Sequence, residues 1–598
     1  MRFVRYAIYK VEGMNYVLKK TNLKNGLYLQ IYKSEYDPSK RNNRNSLYKT
    51  LGYVDKLITD EIKDPVAYYK EVVAKMNADQ KFKEAQEQAG IDESKSPEVL
   101  AGYSPIKVIL EKLGVGRFIK LYQRNAPFRF DLYKMMCDLI SARLVQPCSK
   151  YKTYLEVLPK LGHDINYSYD QILDACEFIG QEYDFFTSLM ASAIKSKYGN
   201  PTETVFFDCT NFYFEIDRED ELRRKGPSKE HRVDPIVGMG LLLNNDMIPI
   251  NMKMYPGNQS EVRVINEVIN NMKEELDITG RTIRVADKGL NCALNIFEID
   301  RANEGYIFSK SVKKLDGVEK TWVLSEKDVT DEAILATAGW KFVKDSTGKT
   351  IYRYKEYSPI KEEKIKYTLQ KGTVLKNGSV LEKNYDFFVK EKRILTYNPS
   401  LAIKQKYEID KLFDKAIKAR TSEALKDNYG ECSKYLILKD KDGKKVKPDL
   451  NIEKKDKDKE LCGYNLLVTS ELNMPAQKIY EVYHQLWRIE ETFRTLKSQL
   501  DARPVYLQKA NSIIGHFVIN FMAVQLLRLM QFYELKGKYG TEELCNFIRE
   551  FRLAKSYENL YLNLDTISKI HSDIAEKFKI PVNKRNLSKR QFEQLKLS

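Results

Sequence analysis

Residues 204–287 contain four runs that predict β-strands and one run that predicts an α-helix. VFFDCTNFYFE is crowded with aromatic and β-branched residues, as buried strands are. PIVGMGLLL and MIPINMKMY are separated by the turn-forming sequence NND, which predicts a hairpin. EVRVINEVINNMKEEL then predicts a helix, and RTIRVAD predicts a short strand. Three antiparallel strands, a helix and a further strand predict an α/β fold built on a sheet.

Three acidic residues occupy distinctive positions. Asp208 lies inside the first strand, where an unpaired carboxylate is costly to bury. Asp287 ends the fourth strand, and Glu490 lies in the predicted helix EVYHQLWRIEETFRTLKSQL. Each acid can instead be a structural group paired with a base. For Glu490 that base is Arg494, and such a helical pair contributes only about 0.2–0.5 kcal/mol.

The predicted helix over 481–500 has a polar stripe beside an apolar stripe. At 100° per residue, the first stripe contains Tyr483, Trp487, Glu490, Arg494, Lys497 and Asp501. The second contains Leu486, Ile489, Phe493, Leu496 and Leu500. We therefore expect Glu490 at the edge of the buried face and Glu491 toward solvent.

The charge balance favours a polyanionic partner. The chain has 100 Lys and Arg against 83 Asp and Glu, a formal net charge of +17. Neutralising the phosphates of DNA or RNA releases counterions, so a basic protein gains affinity for them. Phosphoryl transfer on DNA commonly uses two divalent ions. Because phosphate and water supply many Mg²⁺ ligands, two or three protein carboxylates suffice.

Other features favour a cytoplasmic protein. The eight cysteines are scattered without a C-x-x-C pair, which disfavours a zinc site or a disulfide framework. The N-terminus lacks the apolar run of a signal peptide. The most apolar stretch, 513–530, contains His516, Asn520, Gln525 and Arg528, which are costly at membrane depth. We expect it to form a buried helix.

Changes in pattern divide the chain into seven predicted segments. In order they are a small β-rich unit (1–58), a helical linker (59–104), a helical domain expected to bind DNA (105–200), the first part of an α/β core (201–312), an insertion domain with β-structure (313–473), the second part of the core with the Glu490 helix (474–535), and a C-terminal helical segment (536–598).

In combination, the motifs resemble those of a DDE transposase of a bacterial insertion sequence. They are FFDCTNFYFE around Asp208, KEHRVDPIVGMGLLL, YPGNQSE, VADKGLN around Asp287, LWRIEETFRTLKSQLDARPVY and IIGHFVINFMA. Tyr483, Glu490 and Lys497 match three positions of the Y-R-E-K signature of the insertion-sequence four superfamily, and the chain resembles its sixteen-thirty-four group. Leu486 stands at the signature arginine position, with Arg488 two residues later.

This resemblance implies a ribonuclease-H-like (retroviral integrase-like) catalytic core, with a β-rich insertion between Asp287 and Glu490. It implies that Asp208, Asp287 and Glu490 are catalytic and hold two Mg²⁺ ions per active site, with Mn²⁺ able to substitute. Cleavage at terminal inverted repeats would expose 3′-hydroxyls for joining to target double-stranded DNA, by a cut-and-paste route. Binding two ends implies a homodimer in the DNA complex, and no membrane is involved.

Further residues have expected roles in DNA binding. The resemblance gives Lys497 a phosphate contact and Tyr483 a role in supporting the DNA or the metal site. Other predicted DNA contacts are Arg488, Arg494, Lys288, His231 and Arg232. Some related enzymes stack a flipped base on an aromatic residue of the insertion, which makes Trp322 and Trp340 candidates. For both tryptophans the alternative is core packing.

Two other functions remain open from the residues. One is a domesticated DNA-binding protein that keeps the fold without catalysis. The other is a metal-dependent nuclease of the same fold that hydrolyses DNA but does not join it.

Overall fold

The fold is an α/β architecture with one large mixed sheet. The computed structural model describes residues 15–37, 42–59, 62–88, 98–126, 128–199, 201–229, 233–275, 280–368, 373–374, 380–381, 384–421, 430–439, 445–503, 505–556 and 560–596. His231 and Arg232 lie outside the described residues.

The N-terminal part forms a small sheet followed by a long helix. The elements are β1 (Asn15–Leu23), β2 (Gly26–Asp37), β3 (Asn42–Tyr53), α1 (Val54–Leu57), α2 (Pro65–Gln88) and β4 (Glu98–Leu100). Strands β1, β2 and β3 pair antiparallel in that order. The β-rich pattern at the N-terminus therefore forms a three-stranded sheet.

A group of helices follows. They are α3 (Ser104–Leu113), α4 (Gly116–Tyr122), α5 (Leu132–Val145), α6 (Lys150–Lys152), α7 (Tyr169–Gln181) and α8 (Tyr183–Tyr198). Asp131 caps α5 by accepting from the Lys134 amide, and Ser168 with Gln171 forms a capping box at α7. The apolar spacing of three and four residues along this region thus predicts its helices correctly.

The next segment builds one half of the large sheet. Its elements are β5 (Thr204–Tyr213), β6 (Ile236–Leu243), β7 (Pro249–Pro256), α9 (Glu261–Glu275), β8 (Ile283–Ala286), α10 (Ala293–Arg301) and β9 (Gly305–Lys310). β5, β6 and β7 are antiparallel, whereas β8 runs parallel to β5 and β9 parallel to β8. The predicted hairpin and the order of three strands, a helix and a strand are confirmed.

The region between this segment and the Glu490 helix extends the same sheet. Its elements are α11 (Gly317–Leu324), α12 (Glu332–Thr337), β10 (Lys341–Lys344), β11 (Thr350–Glu356), β12 (Lys361–Thr368), β13 (Thr373–Val374), β14 (Val380–Leu381), β15 (Asn384–Tyr397), α13 (Pro399–Thr421), β16 (Leu436–Lys439), β17 (Lys445–Leu450), α14 (Ile452–Glu460) and β18 (Tyr464–Thr469). The sheet order is β10-β11-β15-β18-β9-β8-β5-β6-β7, with β12 also on β15. Since β18 pairs with β9, several strands of the predicted insertion continue the core sheet.

The last part is helical with a second small sheet. Its elements are α15 (Ala476–His484), α16 (Trp487–Arg494), α17 (Ala510–Arg528), α18 (Thr541–Glu550), β19 (Arg552–Lys555), β20 (Tyr561–Asn563), α19 (Lys569–Phe578), β21 (Asn586–Leu587) and α20 (Lys589–Glu593). Strand β19 pairs with β20 and also with β4, more than 400 positions earlier. The segment predicted as a C-terminal helical one therefore contains strands beside its helices, and the segment predicted as a helical linker contains β4. The sequence pattern did not predict these short strands, because the pairing of β4 with β19 joins residues that are distant in the sequence.

Helix α17 is the centre of the helical layer. It contacts α5, α7, α8 and β7, and it is buried along nearly its whole length, as predicted for the apolar stretch. Residues 510–534 also have the length and composition of a membrane span, but 94% of the apolar window is buried inside the protein. Helices α7 and α17 cross so closely that a methyl group on Gly515 would collide with the carbonyl oxygen of Cys176.

Candidate functional site

Asp208 is the partly exposed residue in an otherwise buried stretch of β5. Its side chain is 24% exposed, whereas the residues on both sides of it are buried. Alternation along the strand puts Asp208 on the same face as Phe206 and Phe212, which pack in the core beneath the helical layer. The apolar residues thus hold a carboxylate at a fixed point on the sheet face.

The register of the parallel strands brings Asp287 next to Asp208. Thr204 pairs with Ile283 and Phe206 with Val285, so continuing this register by two residues sets Asp287 beside Asp208. Neighbouring strands lie about 4.8 Å apart. On the other side of Asp287, the β8–β9 register leads to Ser309, whose hydroxyl donates to Asp287 Oδ1 at 3.1 Å.

Glu490 reaches the same place from the helical layer. It lies in the first turn of α16, which contacts β5, while α15 contacts β8 and β9. The predicted single helix over 481–500 is wrong in detail: it is interrupted after His484, where the Leu486 amide donates to the Tyr483 carbonyl in a tighter turn. A π-helical turn, Thr495–Gln499, then follows α16.

The three acids line one cavity of about 240 Å³. Its wall is formed by Asp208, Asp287, Tyr483, His484, Leu486, Trp487, Ile489 and Glu490. Two strand positions and one helix position therefore meet, although they are far apart in the sequence. The expectation that the fold brings these acids together is met by this geometry.

Burial and charge act in opposite directions on Asp208. Burial raises the pKa of its carboxyl, Lys229 and the Cys209 amide lower it, and the negative charges of Glu261 and Asp287 raise it; together these effects bring the pKa to about 6. Lys229 Nζ lies 3.7 Å from Asp208 Oδ1 and 3.6 Å from Glu261 Oε1. A cation placed near Asp208 therefore stabilises its charged form.

Tyr483 supports Asp287. Its hydroxyl donates to Asp287 Oδ1 at 3.2 Å, beside the bond from Ser309. The pKa of the Tyr483 phenol is raised by burial and by the charge of Asp287, so the phenol remains a donor. Two hydroxyls thus fix the orientation of the Asp287 carboxylate.

We expect Tyr483→Phe to lower divalent-metal affinity or DNA cleavage by about 10- to 100-fold, because the outer-shell hydrogen bond to Asp287 is lost. The measurement is the Mg²⁺ dependence of cleavage. Tyr480→Phe is the matched control, since Tyr480 lies on the same helix and stacks outside the cavity on Tyr352. Equal effects of the two substitutions would contradict this role for Tyr483.

Glu491 corrects one prediction from the helical wheel. It does not face solvent but pairs with Arg488 at 3.1 Å and with the buried Arg528 at 3.4 Å, and it accepts from Thr541 Oγ1 at 2.7 Å. The wheel fails because it assumes one packed face, whereas Arg528 of α17 and Thr541 of α18 contact α16 on a second side. Among the described residues, Glu490 forms no ion pair with Arg494.

The cationic residues predicted to bind DNA lie around the cavity, not in its wall. Arg488 stacks on the Trp487 ring at 3.8 Å and pairs with Glu491. Lys497 lies in the π-helical turn, 5.3 Å from the ring of Phe212. Arg494 and Lys288 are exposed, and Lys288 directly follows Asp287. Their contacts with DNA stay predictions.

The two tryptophans predicted to stack a base pack against other side chains. Trp340 is 2% exposed and donates through Nε1 to Glu326, with Arg353 over its ring. Trp322 is partly buried and meets Tyr357 edge to face at 5.0 Å. These contacts favour the alternative of core packing, most clearly for Trp340.

Sequence reasoning gave no role to three residues that the structure brings to the site. Trp487 is 43% exposed and lines the cavity, and Lys229 and Glu261 lie beside Asp208. For Trp487 the signal was its place on the same helical stripe as Glu490. For Glu261 and Lys229, the motifs YPGNQSE and KEHR mark the segments but not which side chain reaches Asp208.

The donor set fits a hard divalent cation. Carboxylate oxygens are the ligands that Mg²⁺ prefers, and such sites leave several positions to water and phosphate. In the parts of the chain that the structure describes, no group of three or more Asp, Glu, His or Cys side chains is placed so that it could hold a metal ion as it stands. Asp208, Asp287 and Glu490 therefore line one cavity without forming a ready-made metal cage.

Comparison with known families identifies the same region. Residues 237–526 match the family model of the transposase DDE domain. The match includes Asp287 and Glu490 and begins after Asp208. No curated protein matches the chain. The family match supports a DDE transposase.

Proposed function

We propose that the protein is a DDE transposase that binds the terminal inverted repeats of an insertion sequence, cuts there to expose 3′-hydroxyls, and joins them to target DNA. The observation that carries the proposal is the shared cavity of Asp208, Asp287 and Glu490. A protein that only binds DNA has no use for three carboxylates around one cavity, because they repel phosphate unless a cation lies between them.

Strand order supports a ribonuclease-H-like core within the larger sheet. The central strands run β7-β6-β5-β8-β9, with the first three antiparallel and the last two parallel. The first acid then lies on the first strand of the core, the second at the end of the fourth strand, and the third on a late helix. This agrees with the arrangement implied by the resemblance.

Asp208, Asp287 and Glu490 would hold Mg²⁺ or Mn²⁺. Two such ions, when bound, stabilise the attacking and leaving oxygens of phosphoryl transfer. The other side chains of the site hold these carboxylates in position. Ser309 and Tyr483 orient Asp287, and β5 fixes Asp208 on the sheet. Lys229 favours the ionised form of Asp208.

Tyr483 and Glu490 also support the Y-R-E-K assignment, because both line the cavity. Leu486, at the signature arginine position, lines it as well and supplies no charge. The net charge of +17 favours binding of the DNA backbone. A complex that holds two ends would contain at least two copies of the chain.

The test is an incubation of the purified protein with Mg²⁺ and DNA that carries the inverted repeats flanking its gene. We expect nicking at the repeat ends and covalent joining of those ends to target DNA. Omitting divalent cations should leave DNA binding and abolish both products. Binding without nicking would instead establish the domesticated binder, and cleavage without joined products would establish the nuclease.

A further inference from the structure

A second cavity, of about 410 Å³, lies on the helical layer. Its wall combines residues from around α6 with residues from the segment between α16 and α17. They are Arg143, Cys148, Ser149, Lys150, Tyr151, Lys152, Tyr169, Asp501, Val505, Tyr506, Leu507 and His516. None of them lines the cavity of the three acids.

Two buried cations face this cavity. Arg143 and Lys150 are both more than nine-tenths buried. Arg143 donates through Nη1 to the backbone oxygens of Leu500 and Asp501. Within the part of the chain that the structure describes, no carboxylate lies within ion-pairing distance of either cation. The carboxylate of Asp501 lines the same cavity and acts on Arg143 from beyond that distance, so two buried cations share one more distant negative charge. Buried cations are normally paired, and the remaining positive charge favours a bound anion.

His516 does not meet that demand. Burial, followed by the charges of Lys150 and Arg143, holds the pKa of His516 well below its usual range, so the imidazole is neutral. Lys150 Nζ donates to His516 Nδ1 at 3.1 Å, and His516 Nε2 then donates to the Ala502 carbonyl at 3.1 Å. One ammonium proton is used in this way, which leaves donors on Lys150 for a ligand.

Aromatic rings stand at the rim. Tyr506 is 69% exposed and Tyr151 is 57% exposed, and Tyr151 is braced edge to face by Tyr169 at 5.4 Å. A nucleotide whose phosphate entered the cavity would meet these rings with its base or sugar. Rings of this kind offer a stacking surface for any base.

We propose that this cavity binds a backbone phosphate of DNA, with Arg143 and Lys150 contacting the phosphate and Tyr506 and Tyr151 contacting the adjacent nucleotide. The inference deepens the proposed function, since it assigns a DNA contact to the helical layer. Asp501 lies 11 positions after Glu490 (501 − 490). The chain that leaves the Glu490 helix therefore forms part of the wall of this cavity.

The experiment measures binding of a short fluorescent duplex of arbitrary sequence, without divalent cations, by anisotropy over a range of salt concentrations. For Lys150→Met we expect a dissociation constant about tenfold higher than that of the wild-type protein. The slope of the logarithm of affinity against the logarithm of salt concentration should become shallower by about 1, because one phosphate contact is lost. The apparent unfolding temperature should stay the same or rise, because an unpaired buried cation is removed. Tyr506→Ala, at an exposed position, should weaken binding by about tenfold without any effect on folding.

Lys120→Met is the matched control, because it removes one charge from α4, where Lys120 is exposed and pairs with Asp131. The inference falls if Lys150→Met and Tyr506→Ala bind the duplex as tightly as the Lys120→Met control. A parallel calorimetric titration with inorganic phosphate distinguishes a DNA phosphate from a free phosphate ion as the ligand. If Lys150→Met lost phosphate binding but bound the duplex as the wild-type protein does, the cavity would be a site for free phosphate and the proposed DNA contact would be wrong. Since no catalysis is measured, failure here leaves the cleavage and joining test of the proposed function untouched.

Discussion

Asp208→Asn, Asp287→Asn and Glu490→Gln are each expected to lower DNA cleavage and joining by about a thousandfold or more, because each removes a negative oxygen ligand while keeping the side-chain shape. DNA binding without metal should persist. The measurement is the rate of product formation with Mg²⁺ for each variant against the wild-type protein. Glu481→Gln is the matched control, since it neutralises a carboxylate on α15 that bonds to Gln477 outside the cavity.

Stability separates loss of chemistry from loss of fold in these variants. Neutralising a carboxylate that burial and neighbouring negative charges disfavour should keep or raise the apparent unfolding temperature, and this is clearest for Asp208. Mg²⁺ at a hundredfold excess over its dissociation constant should raise the free energy of unfolding of the wild-type protein by about 2.7 kcal/mol, and its unfolding temperature with it. That increase should shrink in all three variants. A variant that joins DNA at the normal rate would remove its residue from the site.

Glu491→Gln is expected to lower the free energy of unfolding by about 3–5 kcal/mol, because it leaves the charge of Arg528 buried without a counterion. Arg528 is 1% exposed and reaches Glu491, Gln531 and Thr541. Loss of the pair should loosen α16 against α17 and α18. Denaturant unfolding monitored together with hydrogen exchange in α16 measures the effect.

Glu490→Gln is the matched comparison for this prediction. The two glutamates are neighbours, and the same atoms change, but Glu490 is exposed at the cavity and Glu491 is paired. We expect Glu490→Gln to change stability by less than about 0.5 kcal/mol while abolishing catalysis. If both variants unfolded at the same denaturant concentration, the pair between Glu491 and Arg528 would contribute nothing to stability.

Much of the candidate site was predictable because it depends on local pattern. Asp208 stands out as an acid in a strand of aromatic residues, and Asp287 stands out at a strand end. The order of the strands along the chain from β5 to β8 follows from periodicity and turn residues. The pairing of β5 with β8, which makes the two acids neighbours, was implied only by the family resemblance and is seen in the structure. Glu490 follows from its position on a helical stripe with Tyr483.

The parts that sequence reasoning missed depend on which surfaces touch. A helical wheel places Glu491 opposite the apolar stripe and hence toward solvent. The wheel contains no information about Arg528, which lies 37 positions later and contacts Glu491. It also assumes constant geometry, whereas the segment is interrupted after His484 and forms a π-helical turn at Thr495–Gln499. Likewise, the strands of the predicted insertion join the core sheet through β18 and β9, which is a long-range pairing.

The sequence by itself predicted the α/β character of the core and the order of its strands along the chain, because apolar periodicity and turn chemistry act over short distances. It also singled out the three acids, by their positions in predicted elements and by the motifs around them. The tertiary structure alone decided which groups surround those acids, including Lys229 beside Asp208 and Trp487 in the cavity wall. It alone decided that Glu491 pairs with the buried Arg528, and that Arg143 and Lys150 share a cavity in which no carboxylate of the described residues comes within ion-pairing distance of them. Such contacts arise from packing between distant elements, and so no local pattern encodes them.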